Sequence, residues 1–202
     1  EFLCSAWGGR AWSDGLDGNA NLMANMSLPP VEITEAEQPL QILTTEFIQD
    51  VGGPGKYRGG ASIRRDYKLL ESEAVLQVRA DRHDFRPYGL YGGSPGRASH
   101  NVMNPGTENR VLPGKFTMTM KRGDVFRHES AGPGGWGDPL DRDPARVARD
   151  VRNEFVSRRS ARDDYGVVFR AETVEVDEAA TTALRVELRA KRGWMSPPGV
   201  SR

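Results

Sequence analysis

The sequence predicts an α+β fold in which a mainly antiparallel β region with long glycine-rich loops precedes short carboxy-terminal helices. Hydrophobic residues make up 37% of the 202 residues, and 23 glycines and 13 prolines interrupt the chain; this composition favours short elements and ordered loops. Apolar residues alternate with period two in the first part of the chain and have helical spacing in the last third. We therefore expect a β domain over residues 1–140 and a small helical segment over 141–202, packed together as one structural unit.

The clearest strand pattern lies between residues 115 and 121, where three bulky apolar residues alternate with two threonines. A turn is expected at Arg122-Gly123-Asp124, so Val125–Glu129 is predicted to return as the partner strand. Residues 86–114 are predicted to form a long loop. The remaining strand candidates span residues 40–48, 61–70 and 74–80.

Capping signals divide the final third into helices. Asp143 suits an N-cap position and Pro144 the first helical position. Ser157 is expected to cap a second, short helix and Asp177 a third, with a short strand at residues 167–169 between them. Each helix carries one apolar stripe, which we expect to pack on the β domain. The tail from residue 193 is expected to fray.

Charge and cysteine content argue against several functional classes. The 28 basic and 28 acidic residues give a formal net charge of zero, whereas nucleic-acid and membrane-surface proteins usually carry a basic excess. Cys4 is the single cysteine, so an internal disulfide is impossible. We see neither a signal-peptide pattern nor an apolar run of about 18 residues. A cytoplasmic protein is expected, and its first residues have the composition of a packed segment, as in a fragment of a longer chain.

Two glycine clusters, at residues 52–60 and 132–139, are candidates for backbone anion sites. In the first, Lys56 is followed by Tyr57 and a predicted strand, whereas a Walker-type phosphate loop needs Ser or Thr and a helix. The second precedes a predicted helix and could cradle an anion with its amides, although a structural turn is the commoner use. We predict that this chain does not bind ATP by itself.

Polar side chains give no strong metal signal. A cluster of carboxylates follows Pro30, and in an extended chain Glu35 and Glu37 would share a face. Such a pair could act in acid–base chemistry or bind a divalent ion, but an exposed solvated face is the alternative. None of the histidines has a second ligand at metal-binding spacing, so we predict no metal site within this chain. The histidines are His83, His100 and His128.

Several segments, in order, resemble the hydantoinase B/oxoprolinase family. They begin with Trp7-Gly8-Gly9-Arg10 and Asp14-Gly15-Leu16-Asp17-Gly18, and they include the glycine signature Gly52-Gly53-Pro54-Gly55-Lys56-Tyr57-Arg58-Gly59-Gly60. Gly134-Gly135-Trp136-Gly137-Asp138-Pro139 and Tyr165-Gly166-Val167-Val168 follow. Each motif alone is weak, but their order argues against chance. The resemblance identifies the chain as the carboxy-terminal part of a longer B-type subunit.

The resemblance implies a role in an ATP-dependent hydrolase of cyclic amides. Family members include hydrolases of 5-oxoproline and N-methylhydantoin and also acetone and acetophenone carboxylases, so a ketone carboxylase is the alternative enzyme. A structural module of such a complex is the non-enzymatic alternative. ATP and Mg would bind a hydantoinase A-type partner subunit, and the remaining, amino-terminal part of the B-type subunit would hold any divalent metal. This chain alone is expected to be inactive.

Loops rather than carboxy-terminal helices are expected to supply any contact with substrate or partner. Arg58, between glycines, could bind a carboxylate or phosphate with two parallel hydrogen bonds. Structural salt bridges are the alternative for all of these charges, and no catalytic residue is predicted. The candidate contact residues are Arg58, Asp81, Arg82 and Asp138.

Overall fold

Within residues 2–21 and 23–191, the part of the chain that the computed structural model describes, seven strands form two antiparallel sheets and four α-helices flank them. This architecture confirms the predicted α+β class. The predicted fraying of the tail falls outside the described residues. In chain order the elements are α1 (Val31–Glu37), β1 (Leu40–Phe47), β2 (Ile63–Leu69), β3 (Glu73–Arg79), β4 (His100–Met103), β5 (Arg110–Leu112), β6 (Lys115–Lys121), β7 (Val125–Glu129), α2 (Pro144–Arg152), α3 (Arg158–Asp163) and α4 (Glu178–Lys191).

The two sheets face each other across one hydrophobic core. The larger sheet has the order β1-β2-β7-β4-β5, and β3 pairs with β6 in the smaller one. From the larger sheet, Leu69, Met103 and Phe126 are buried against Met120 of the smaller sheet. Phe116 of β6 meets Phe126 edge to face, with ring centroids 6.2 Å apart. On β3 and β6 every second side chain is more deeply buried, as expected for strands with one face on the core.

The predicted pairing of residues 115–121 with 125–129 is wrong. The turn that contains Gly123 takes the chain from one sheet to the other, so β6 pairs with β3 whereas β7 pairs with β2 and β4. The physical reason lies in the apolar faces. Ala74, Leu76 and Val78 of β3 and the bulky residues of β6 cover the same core, and pairing them gives the smaller sheet one continuous apolar face.

Two further segments differ from prediction. Residues 86–114 contain β4 and β5, and the expected strand at 167–169 is a single bridge between Phe169 and Val176. The carboxylates after Pro30 belong to helix α1, whose first turn is closed by the Thr34 amide donating to the Pro30 carbonyl at 3.1 Å. A helix turns by 3.6 residues, so the shared extended face predicted for Glu35 and Glu37 does not exist.

The carboxy-terminal helices follow their predicted caps. The Asp143 carboxylate accepts a hydrogen bond from the Ala145 amide, and Pro144 opens α2. The Ser157 hydroxyl accepts from the Ser160 amide at the start of α3, and the Asp177 carboxylate accepts from Ala180 in α4. Behind these helices lies a second core cluster, formed by Val147, Val156, Ala161, Tyr165 and Val167.

Candidate functional site

Glycine-rich segments pack backbone against backbone beside the sheets. We call residues 7–18, 52–60, 89–96 and 132–137 the glycine layer. A Cβ atom on Gly132 would lie 1.7 Å from the Val51 carbonyl oxygen, so only glycine allows this approach.

The amides of the glycine layer donate mostly to carbonyl groups of the same layer. The Gly53 amide donates to the Pro133 carbonyl at 2.8 Å, and the Gly135 amide donates to the Ser94 carbonyl at 3.0 Å. The Gly137 amide likewise donates to Leu90 at 2.9 Å. Amides that are already engaged in this way are not available to cradle a phosphate. The glycine clusters therefore serve as a packed backbone scaffold.

Five charged residues from distant parts of the chain form a buried ion cluster under the glycine layer. Arg142 is fully buried and donates to both Asp14 carboxylate oxygens, at 2.6 and 2.9 Å, and to Asp150 at 2.6 Å. Arg58 donates to Asp17 at 2.8 and 3.3 Å, and its Nε lies 3.4 Å from Asp150. Two arginines face three carboxylates, so the cluster has a formal charge of −1. It ties the amino-terminal loop, the second glycine segment and α2 together.

The electrostatics of the buried ion cluster favour the charged forms of Asp14 and Arg142. Burial alone would raise the pKa of Asp14, but hydrogen bonds and the positive charge of Arg142 outweigh it and hold that pKa below its usual value. Burial would lower the pKa of Arg142, but Asp14 and Asp150 raise it well above the ordinary arginine value. The charge of the fully buried Arg142 is therefore compensated by two carboxylates inside the protein, as a buried charge requires.

Arg58, the first predicted contact residue, belongs to this cluster. It is 7% exposed, and its guanidinium lies 4.6 Å from the centre of the Phe155 ring in addition to its carboxylate partners. Its main-chain amide also donates to Asp14, at 2.9 Å. The ion pairs with Asp17 and Asp150 compensate the positive charge of Arg58 within the protein. A contact between Arg58 and substrate stays a prediction.

The other three predicted contact residues lie apart from Arg58. Asp81 and Arg82 are exposed and follow β3; Asp81 forms an ion pair with Lys115 at 3.1 Å, and Arg82 has a φ angle of 61°. Asp138 caps the 3-10 turn at Pro139–Asp141 by accepting from the Leu140 amide at 2.8 Å. The structure thus brings Asp81 and Arg82 together and separates them from the buried ion cluster. Their contact with substrate or partner stays a prediction.

Asp81 and Arg82 border a cavity of about 630 Å³ where the core between the sheets ends. We call it the sheet-end cavity. Its size is typical of small-molecule sites. Most of its wall is apolar, and a few polar side chains from β2, β3 and β7 reach it. The wall includes Leu76, Val78, Met120, Phe126, Pro133, Tyr67, Arg79, His128 and Ser130.

His128 is the most distinctive polar group of the sheet-end cavity. The Asn101 side-chain amide nitrogen donates to the Pro113 carbonyl at 2.8 Å, so the Asn101 oxygen faces His128 Nδ1, at 2.7 Å. This arrangement places the proton of the neutral ring on Nδ1 and leaves Nε2 as an acceptor. Burial lowers the pKa of His128 to about 4. The ring is therefore neutral at pH 7.

Ser130 lies two residues further along the same face as His128. It is 3% exposed, and its hydroxyl has no hydrogen-bond partner among the described residues. Sequence reasoning considered His128 only as a metal ligand and did not consider Ser130. The alternation of residues 126–130 could have predicted their placement. Phe126, His128 and Ser130 alternate with charged residues, and in a strand they therefore face the core together.

Metal and membrane features are not found in the described part of the chain. Over residues 2–21 and 23–191, no group of three His, Cys, Asp or Glu side chains is placed to hold a metal ion. Over the same residues, no helix has the length and apolar character needed to cross a membrane.

Comparison with known proteins places these features in a family. The family model described as hydantoinase B/oxoprolinase matches residues 1–139. The putative B-type subunit of a D-/L-hydantoinase from a Pseudomonas species is 30% identical over 92% of this chain, which covers 31% of that protein.

Solved structures have the same fold. The structure of the ATP-dependent caprolactamase from Pseudomonas jessenii has a TM-score of 0.78 and 26% identity, covering 91% of this chain and 33% of that one. The nucleotide-free structure of acetone carboxylase has a TM-score of 0.83 and 24% identity, covering 97% of this chain and 31% of that one. The chain thus spans about a third of the length of these relatives. It belongs to the hydantoinase B/oxoprolinase family.

Proposed function

We propose that this chain is the carboxy-terminal part of a B-type subunit that hydrolyses a cyclic amide together with an ATP-binding, A-type partner subunit in the cytoplasm. The observation that carries the proposal is the family match over residues 1–139. Two relatives, one named as a hydantoinase and the other as an ATP-dependent caprolactamase, support a cyclic amide as the substrate class.

The chemistry explains why ATP is needed. An unstrained amide resists hydrolysis because its nitrogen donates electron density to the carbonyl group. Phosphorylation of the oxygen makes the carbonyl carbon electrophilic enough for water to add; the C–N bond then breaks to release the amine and an acyl phosphate, which a second water hydrolyses to carboxylate and inorganic phosphate. ATP and Mg are assigned to the partner subunit, as the family resemblance implies, and the glycine-layer amides with carbonyl partners in this chain support that assignment. Any divalent metal is assigned to the rest of the B-type subunit, as the family resemblance implies.

The glycine layer supports a partner-facing or substrate-facing role, because a rigid scaffold can position exposed loop residues. Asp81 and Arg82 stand at the sheet-end cavity, and Asp138 stands at the end of the glycine layer. We retain these residues and Arg58 as proposed contacts. We also propose that residues 1–140 and 141–202 form one structural unit, because Arg142 binds Asp14 across that boundary.

The test uses the complete B-type subunit co-expressed with its A-type neighbour. Ring opening of a panel of cyclic amides and release of inorganic phosphate are measured together. We expect both products only when both subunits and Mg-ATP are present. Failure of the two subunits to co-elute on gel filtration, or ring opening that proceeds without ATP, would contradict the proposal.

A ketone carboxylase is the second candidate, favoured by the shared fold with acetone carboxylase. The two enzymes differ in their co-substrate, since a carboxylase forms product only when bicarbonate is supplied. A structural module is the third reading. Substitution of Asp81, Arg82 and Asp138 in the assembled complex tests it. Turnover that is lost while the complex stays intact favours a site role, and unchanged turnover favours the structural module.

A further inference from the structure

Strand β3 has a row of backbone groups along its outer edge that point away from its partner β6. The Ala80 amide donates to the Gly114 carbonyl at 2.7 Å, so Ala80 and every second residue before it bond to β6. The N–H and C=O groups of Val75, Gln77 and Arg79 therefore point the other way, and we call this row the free edge of β3. Within residues 2–21 and 23–191, no hydrogen bond reaches these groups.

The outermost strands of the larger sheet are protected in ways that β3 is not. On β1 the Ile42 amide donates to the Glu35 carboxylate of α1 at 2.8 Å, and the strand register shifts just after Ile42. At the other side of that sheet, β5 has only three residues. In contrast, β3 has seven residues in regular register and no proline. Long, regular, uncovered edges are the places where another chain adds a strand.

The sheet-end cavity lies along the free edge of β3. Every residue from 76 to 82 lines it, whereas β6 contributes only Met120. Successive residues of a strand point to opposite faces, so a wall that includes both sets is the edge of the strand and not one face. The opposite wall includes Leu40 of β1 and Tyr67 of β2, which are only half-buried. The cavity is thus a gap between β3 and the β1–β2 side of the larger sheet.

The numbers of strands explain this gap. Adjacent strands lie about 4.8 Å apart, so the five strands of the larger sheet span about 19 Å and the two strands of the smaller sheet about 5 Å. A strand added beside β3 would extend the smaller sheet over β1 and β2. A peptide backbone suits this place better than a small molecule does, because it repeats donors and acceptors at the spacing of the free edge.

We propose that the free edge of β3 pairs with an extended segment from the remaining, amino-terminal part of the B-type subunit. The choice of this partner rests on the proposed function and on the lengths of the relatives, since the chain spans about a third of them. Val75, Gln77 and Arg79 exchange backbone hydrogen bonds with the segment. Every second side chain of the segment enters the sheet-end cavity and packs on Leu40 and Tyr67, so these side chains are apolar.

Amide hydrogen exchange tests this pairing in the 202-residue chain and in the complete B-type subunit. In the 202-residue chain, the amides of Leu76 and Val78 should be protected by β6, whereas those of Val75, Gln77 and Arg79 should exchange rapidly. In the complete subunit, the free-edge amides should exchange at least about a hundredfold more slowly, because the added strand must first open. Mass spectrometry with fragmentation to single residues measures these rates. Equal rates in the two proteins would overturn the proposal.

Gln77→Pro separates the pairing of the free edge from the folding of β3. Proline removes an amide that points away from β6, which an edge strand tolerates, but it prevents a regular strand from being added. Thr117→Pro is the matched control, because Thr117 lies opposite Gln77 and its amide points to the other edge of the same sheet. In the complete subunit, Gln77→Pro should restore rapid exchange at Val75 and Arg79, and Thr117→Pro should not. Protection that survives Gln77→Pro contradicts the proposal; should that variant fail to fold, the comparison of the unmodified proteins still decides.

A second copy of this chain is the competing occupant of the free edge. Sedimentation and exchange of the 202-residue chain over a range of concentrations distinguish it. A dimer in which the free-edge amides become protected without the rest of the subunit would overturn the proposal in favour of self-pairing. Exchange needs neither ATP nor substrate, so its result is independent of the turnover assay. Protected free-edge amides in a complete subunit that lacks turnover would contradict the proposed function alone.

Discussion

Acidification from pH 7 to pH 5 should destabilise this protein through His128. Burial lowers the pKa of His128 from 6.5 to about 4 in the folded chain, whereas the unfolded chain keeps the ordinary value near 6.5. Between those two values the unfolded state binds a proton that the folded state does not. The stabilisation is fully present above about pH 6.5 and is lost progressively as the pH falls toward 4.

The size of the effect follows from the two pKa values. A difference of about 2.5 pKa units corresponds to about 3 kcal/mol over the whole range. At pH 5 the ring is still neutral in the folded state and charged in most unfolded chains, so about 2 kcal/mol of the free energy of unfolding is lost between pH 7 and pH 5. Such a loss is a large fraction of the stability of a typical domain.

Urea denaturation followed by circular dichroism at pH 7, 6 and 5 measures this loss. His128→Asn should remove most of the pH dependence in this window, whatever its stability at pH 7. Burial is the cause of the pKa shift, so the pH dependence should change little between 0.1 M and 0.5 M salt, unlike one caused by exposed charges. Equal slopes for the variant and the unmodified chain would show that His128 is not the buried neutral group described here.

The remaining predictions concern the scaffold and its charges. Arg142→Met should lower the free energy of unfolding by about 3–5 kcal/mol, because it leaves buried carboxylates uncompensated. Arg149 lies on the exposed face of α2, so Arg149→Ala should change that free energy by less than about 0.5 kcal/mol. Urea denaturation measures both values. Gly132→Ala should lower the thermal midpoint strongly, since its Cβ would lie 1.7 Å from a carbonyl oxygen, and Gly8→Ala, with its nearest atom at 3.4 Å, should not. Calorimetry with Mg-ATP on this chain alone should detect no micromolar binding. In the assembled enzyme, Arg82→Ala should lower turnover relative to Arg149→Ala, and rates within threefold of each other would favour a structural role for the loop charges.

The sequence predicted the elements whose signals are local. Alternating residues between 115 and 121 define β6, and the caps at Asp143 and Ser157 define two helices, because each signal lies within a few residues of its element. The pairing of β6 was not predictable in the same way. The turn after it is compatible with either sheet, and the choice depends on the apolar face of β3, which only the assembled core reveals.

The residues of the candidate site also differ in how far their roles depend on local sequence. The position of Arg58 between glycines predicted a contact with substrate or partner. Its ion pair with Asp150 could not be predicted in this way, because it joins segments that are distant in sequence. A charged residue in a glycine-rich loop therefore signals an approach of two backbones as readily as it signals a ligand.

His128 is the opposite case, a residue whose environment is distinctive although its sequence context is not. Nothing in its immediate sequence suggests a site, since metal ligation needs a second ligand at the right spacing. Its importance comes from β4, a strand that was predicted to be a loop, where Asn101 fixes the tautomer of the ring. Asn101 can do so only because Pro113 fixes the amide in turn. Three segments that are distant in sequence thus determine the tautomer of one ring, and no local motif could have predicted it.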